Sequence, residues 1–333
     1  MLTIVQMNYE IHPRIPVLAI AALLDYLIGD PWNWLHPVQV MGWFIQRYTQ
    51  LCFKHFTTPQ ALRIAGVGLA IALILGSGSV GWLILYAAHL IHPVLGLATE
   101  SILLASCLAG RSLRAAAEQV LQPLLSGDLE AARSQLSRYV GRDTATLSEA
   151  EILRAVLETV TENATDGSMA PLFYGILGAF LPIGSVPLAL AYKAASTLDS
   201  MVGYREAPYT YIGWFSARLE DGLTWLPCRL TVLTLALLSR RPRQVWQLCQ
   251  RDAPQDPSPN AGWSECAYAA VLGVQVGGTN QYKGITKYKP LLGDPTHPIT
   301  AAVITQATQL TRRNILIWLG TAIAALQILN TIS

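Results

Sequence analysis

The chain has 333 residues, of which 52% are hydrophobic and only 13% charged, and its formal net charge is +2. Soluble domains carry about 25% charged residues, so the polar surface is too small for a water-soluble globule of this size and a bilayer is the expected solvent. No run of five or more Lys/Arg occurs, so nothing points to a nucleic-acid partner. Cys52, Cys107, Cys228, Cys249 and Cys266 form no CxxC and no metal spacing, and are expected as free thiols. Glu10, His12 and Arg14 precede the first apolar stretch, which lacks a small-residue cleavage site, so no cleavable signal peptide is expected.

In chain order, the first apolar segment is Ile15–Ile28, interrupted by Asp25 and closed by the turn Gly29-Asp30-Pro31. The second runs from Ala61 to Leu75, then through a Gly/Ser break into Val80–Ala88, and the third is His89–Leu108, with Glu100 inside it. At about 20 residues per span, these make two or three crossings. Residues 110–166 form a polar helical loop region with apolar positions at Leu113, Ala117, Val120, Leu121 and Leu124. Asp128 is a cap by type, and Ser148 with Glu151 makes a capping box. Pro171–Tyr192 is apolar but holds three glycines and two internal prolines, which predicts a broken or re-entrant element. Leu223–Leu238 contains Pro227 and Arg229, which argues against a simple span. A polar region over 240–313 follows, and Asn314–Ile332 is a final span. The expected class is all-α: one membrane-embedded catalytic domain over 1–333, with about four to six membrane segments.

Arginine-rich loops give a partial topology. Arg47, Lys54 and Arg63 mark one cytoplasmic loop. Arg111, Arg114, Arg133, Arg138 and Arg142 mark another, and Arg240, Arg241, Arg243 and Arg251 a third. The N-terminus then lies outside. If both Pro171–Tyr192 and Leu223–Leu238 cross as simple spans, residues 193–221 face the opposite side from these loops.

The densest polar cluster holds Glu158, Glu162 and Asp166, spaced i, i+4, i+8, which share a face of a continuous helix. Like charges at that spacing repel unless a cation offsets them, and hard oxygen ligands suit Mg²⁺. The alternative is a solvated acidic face. A second cluster, Lys193 to Arg205, mixes cations with hydroxyls and Asp199, and its alternative is an ordinary interfacial loop. Asp256-Pro257-Ser258-Pro259-Asn260 has turn composition. No GxxxxGK[ST] or HExxH is present. Asp166-Gly167-Ser168-Met169-Ala170 begins like the CDP-alcohol phosphotransferase motif, but Pro171 stands where that motif needs Arg.

An ordered set of short stretches resembles one family. The set begins with Leu24-Asp25, Gly29-Asp30-Pro31, His36-Pro37-Val38 and Gly141-Arg142-Asp143-Thr144. It continues with Glu158, Glu162-Asn163 and Asp166-Gly167, then Ala170-Pro171-Leu172-Phe173, Ala191-Tyr192-Lys193-Ala194 and Thr197 to Tyr204. Gly213-Trp214, Ser216-Ala217-Arg218-Leu219, Asp221, Ser258 to Trp263 and Gly277-Gly278 complete it. These resemble the CbiB/CobD family of cobalamin biosynthesis, the adenosylcobinamide-phosphate synthases, from about Leu23 to Asp294. Thr161 departs from a family preference for a small residue such as Ala.

The resemblance implies an inner-membrane enzyme with a cytoplasmic active site. It would join adenosylcobyric acid, a corrin, to (R)-1-amino-2-propanol O-2-phosphate or ethanolamine phosphate, using ATP and Mg²⁺. On residue type and place within these motifs, Glu158, Glu162 and Asp166 are assigned to the metal. Arg142, Lys193 and Arg205 are assigned to phosphates, Asp199 to proton removal, and Ser258 and Asn260 to the pocket. Beyond the lipid bilayer and the substrates, other late-pathway membrane enzymes are expected partners. A polytopic transporter and a membrane scaffold for corrin enzymes are the rival readings.

Overall fold

A computed structural model describes residues 14–29 and 36–332. The expectations on Glu10, His12 and the Asp30-Pro31 turn lie outside the described residues. The chain is mainly helical with one small two-stranded sheet. The order is α1 (Arg14–Leu27), α2 (Pro37–His55), α3 (Pro59–Ile91), α4 (Pro93–Ala105), α5 (Gly110–Leu125), α6 (Leu129–Leu136) and α7 (Glu149–Asn163). A π-helical segment, Ala164–Met169, leads into α8 (Ala170–Phe180), α9 (Ser185–Val202), α10 (Trp214–Leu238), α11 (Pro242–Asp252) and α12 (Ala261–Leu272). The strands β1 (Val276–Tyr282) and β2 (Ile285–Leu292) precede the last helix, α13 (Ala301–Ile332).

Among the described residues three helices, α3, α10 and α13, are long and apolar enough to cross a membrane, or up to four segments if α4 and α5, joined at a bend, count as one. With that bent pair counted, the described residues reach the lower end of the expected four to six. The Gly/Ser break expected near residue 76 is absent: α3 runs on for 33 residues, about 50 Å. Its Gly76-Ser77-Gly78-Ser79-Val80-Gly81 run has the spelling of a dinucleotide-binding loop, but it lies inside a helix and follows no strand. Small residues serve packing here: Gly78 and Gly81 lie against Pro187 and Leu190 of α9. Residues 171–192 break into α8 and α9, as their Gly and Pro content predicts. By contrast α10 continues unbroken through Pro227 and is long and apolar enough to cross, so the break expected from that proline is absent. Its earlier turns and its neighbours hold a proline-bearing helix together where local propensity alone argues for a break.

The chain forms two compact units. The first comprises residues 1–108, 171–220 and 316–333 and holds the α3–α9 and α1–α4 packing. The second comprises 109–170 and 221–315, so the polar stretches 110–166 and 240–313 both fall within it. Its core is built from Val120, Leu136, Ile152, Leu157, Val232, Tyr268 and Ile304, all essentially fully buried. Local signals fix its helix ends. Asp128 accepts from Ala131 N at 2.9 Å, and Ser148 with Glu151 forms the expected capping box. All five cysteines are free and buried.

Candidate active site

In the second unit, α7 carries Glu158 and Glu162 one turn apart, and α12 packs beside it. Ser264 sets that contact: its Oγ donates to Thr161 O at 2.6 Å and lies 2.7 Å from Thr165 Oγ1. The Ser264 contact uses the Thr161 backbone carbonyl, which any residue would supply; the Thr161 hydroxyl turns back to Leu157 O at 2.8 Å, and nothing in the site explains the departure there. The next residue on α12, Glu265, is fully buried.

The β1–β2 hairpin closes the cluster. Its two-residue turn, Lys283-Gly284, has both φ values positive, as a type I′ turn requires. The Asp143 carboxylate accepts from both turn amides, at 3.1 and 2.8 Å. A bulge sits between Val276 and Gly278. Gly277 has φ +93°, and a Cβ there would strike Pro290 O, so only glycine fits. The bulge aims Gly277 N–H at Glu158 Oε1, 2.8 Å away.

Glu158 also pairs with Arg142 and Arg154, and it is 1% exposed. Arg142 Nη1 donates to Asn280 Oδ1 at 2.8 Å. Arg154 donates to Gly277 O and, at 3.0 Å, to Thr279 O. Both arginines thus tie α7 and its preceding loop to the hairpin. Arg142, expected on phosphates, gives one donor to Glu158 and one to Asn280. Glu158, expected on a metal, has each oxygen engaged by a protein donor, and its observed part is to hold the hairpin.

Glu162 differs. It is part-exposed, and its side chain makes no hydrogen bond or ion pair with the described residues. Burial raises its carboxyl above the usual range; Asp256 and Glu158 add to the rise, while Lys289 and Arg142 oppose it. Mg²⁺ keeps several waters and takes one or two carboxylates plus substrate phosphates, so Glu162 fits it. Asp166 lies in the π-helical segment, whose wider turn breaks the i, i+4 spacing after Glu162. Single π turns recur at functional sites. Among the described residues no three His, Cys, Asp or Glu side chains converge as a ready-made metal cage.

Ser258 and Asn260 order the start of α12. Ser258 Oγ accepts from Asn260 N and Ala261 N, while Asn260 Nδ2 donates to Asp221 O at 2.9 Å. Asn260 is buried, and Ser258 N donates to Asp256 at 2.9 Å, which sets the carboxylate that acts on Glu162.

Lys193, Asp199 and Arg205 belong to the first unit. Lys193 and Asp199 are part-exposed on α9, and Arg205 is exposed in the segment after it. Tyr192, beside Lys193, donates to buried Glu220 at 3.3 Å and stacks on Tyr174. Gly213 closes the segment after α9: a Cβ there would strike Val202 O. Gly213→Ala is expected to cost about 1–3 kcal/mol by overpacking, read as a lower melting temperature in detergent.

Arg154, Asn280, Glu265 and Lys289 were not singled out by the sequence. Glu265 carried a signal, being the lone charge on the otherwise apolar helix Ala261–Leu272.

A family model described as CobD/Cbib protein matches residues 18–311. The chain belongs to the CobD/CbiB family. Cobalamin biosynthesis protein CobD of Synechocystis sp. is 52% identical over 312 residues, covering 93% of this chain and 91% of that protein. Cobalamin biosynthesis protein CbiB of Salmonella choleraesuis is 42% identical over 295 residues, covering 87% and 91%. The CobD protein of Geobacter metallireducens is 43% identical over 290 residues, covering 86% and 88%. No solved structure matches. The CobD/CbiB match extends over residues of both compact units, and it places the chain in cobalamin biosynthesis.

Proposed function

We propose that this CobD/CbiB protein is an adenosylcobinamide-phosphate synthase of the inner membrane, working on the cytoplasmic side. It joins a propionate of adenosylcobyric acid to the amine of (R)-1-amino-2-propanol O-2-phosphate or ethanolamine phosphate. A carboxylate is a poor acyl donor, so its oxygen first takes a phosphoryl or adenylyl group from ATP, releasing ADP or pyrophosphate. The amine nitrogen then forms the C–N bond, phosphate or AMP leaves, and the amine proton passes to a base. Bound Mg²⁺ supplies charge neutralisation at the phosphates.

The observation that carries the chemistry is Glu162, a carboxylate with no hydrogen-bond partner among the described residues, beside the ion pairs Arg142–Glu158 and Lys289–Glu265. Glu162, with Asp166, would hold the metal. Lys193 and Arg205 are suited to phosphate oxygens by charge, and Asp199 to proton removal. Glu158 and Arg142 keep the hairpin in place, and Ser258 and Asn260 shape the turn that presents Asp256.

Purified chain in detergent, given adenosylcobyric acid, the amino-alcohol phosphate and MgATP, is expected to yield adenosylcobinamide phosphate by mass spectrometry. Parallel reactions with the two amines identify the one used. A folded preparation that forms no nucleotide-dependent product overturns the reading in favour of transport or scaffolding.

A further inference from the structure

The cluster contains an ion pair that the proposed mechanism does not use. Lys289 Nζ of β2 donates to Glu265 Oε1 at 2.6 Å. The Glu265 side chain is 0% exposed and that of Lys289 is 23% exposed. The second carboxylate oxygen, Glu265 Oε2, is buried and has no hydrogen-bond partner. An ammonium has three donors, and Lys289 spends only this one on the described residues. The buried end of the pair is therefore an anchor, and the open end is a cation with donors to spare. Glu158 and Glu162 of α7 act on both members of the pair, and Asp256 in the turn before α12 and Arg142 of the loop before α7 act in turn on Glu162.

We propose that Lys289 is a phosphate-binding residue of this site and that Glu265 is the positioning residue that aims it. Phosphate oxygens would take the unused Lys289 donors while Glu162 takes the metal that accompanies them, so a lysine and a carboxylate hold opposite charges of one metal–phosphate group. The inference deepens the synthase reading and rests on it only for which phosphate is bound. Charge and geometry identify a phosphate monoester or polyphosphate in either case.

The pair also has a pH signature. Although burial alone lowers the Lys289 ammonium, Glu265, Glu162 and Glu158 more than offset this and hold it above its usual range. Neutralising Glu265 removes the nearest of these, so the ammonium is lost at lower pH.

The test is calorimetric titration of the full chain in detergent micelles, with MgATP in one arm and ethanolamine phosphate in the other. Lys289→Met is expected to weaken one arm by about tenfold to a hundredfold, the worth of a charge-assisted hydrogen bond, and so to name the phosphate. Lys289→Arg should retain most of that affinity. Glu265→Gln should weaken the same arm, with the loss growing as pH rises, a change that altered packing alone would not produce. Lys287→Met, on the exposed face of β2, is the control. Should Lys289→Met fold poorly, the double variant Glu265→Gln/Lys289→Met, which removes both buried charges, should recover stability but not binding. Unchanged affinity in both arms for a folded Lys289→Met variant, or recovered binding in the double variant, overturns the proposal. So does wild-type chain that binds neither probe. Wild-type chain that binds phosphate through Lys289 but forms no amide overturns the synthase reading alone.

Discussion

Replacing Glu158 by Ala is expected to remove about 3–5 kcal/mol of stability, the cost of leaving a buried ion pair without one partner. Arg142 and the Gly277 amide each lose an acceptor, and Arg154 loses its ion-pair partner. Arg142 is 8% exposed and Arg154 15%, so water cannot fully replace what they lose. Glu158→Gln keeps one acceptor oxygen and should fall between. Chemical denaturation in detergent measures the loss, and hydrogen exchange should show it first at residues 276–292. Native-like protection of the hairpin in Glu158→Ala would mean the strands hold without α7.

Glu162→Gln is expected to act in the opposite way on stability and far more strongly on turnover. The folded-state Glu162 carboxyl is raised above its unfolded value, so the fold prefers the protonated form. Between the two values the folded state binds more protons, and stability declines as pH rises. At neutral pH the ionised carboxylate is therefore a net burden, and a neutral isostere should raise the melting temperature. Amide formation should fall by about a hundredfold or more, the scale for removing a group that stabilises charge in the transition state. The wild-type rate should also drop on the acid side at a higher pH than an ordinary glutamate, near 4.3, would give. A Glu162→Gln variant that is less stable yet fully active would assign this residue to the scaffold. Coupled stability gain and activity loss is the usual mark of a functional group held against the preference of the fold.

Much of the local structure was legible. Ser148 and Glu151 announced the start of α7, and Asp128 that of α6, because capping is settled within four residues. The hairpin was not legible. Its strand positions hold adjacent glycines, Gly277 and Gly278, together with Pro290, all poor strand formers by themselves. They are tolerated because the bulge, the Asp143 contact with the turn and the Glu158 anchor hold them from outside the strands. Pro227 is the converse case, a helix breaker that α10 absorbs.

What the sequence by itself determined is the membrane solvent, the helical class, the helix caps and the family, whose motifs survive as ordered short stretches. It also picked out Glu162 as a candidate metal ligand. What only the tertiary structure decided is the division of labour among the charges. Glu158 and Glu162 share one face of a helical wheel, yet one is paired with Arg142 and Arg154 and held by the hairpin's Gly277 amide, and the other is left open. That difference comes from partners such as Gly277, 119 residues further along the chain. Helical periodicity and capping act within a few neighbours, whereas a buried charge is defined by whichever distant donors packing brings to it.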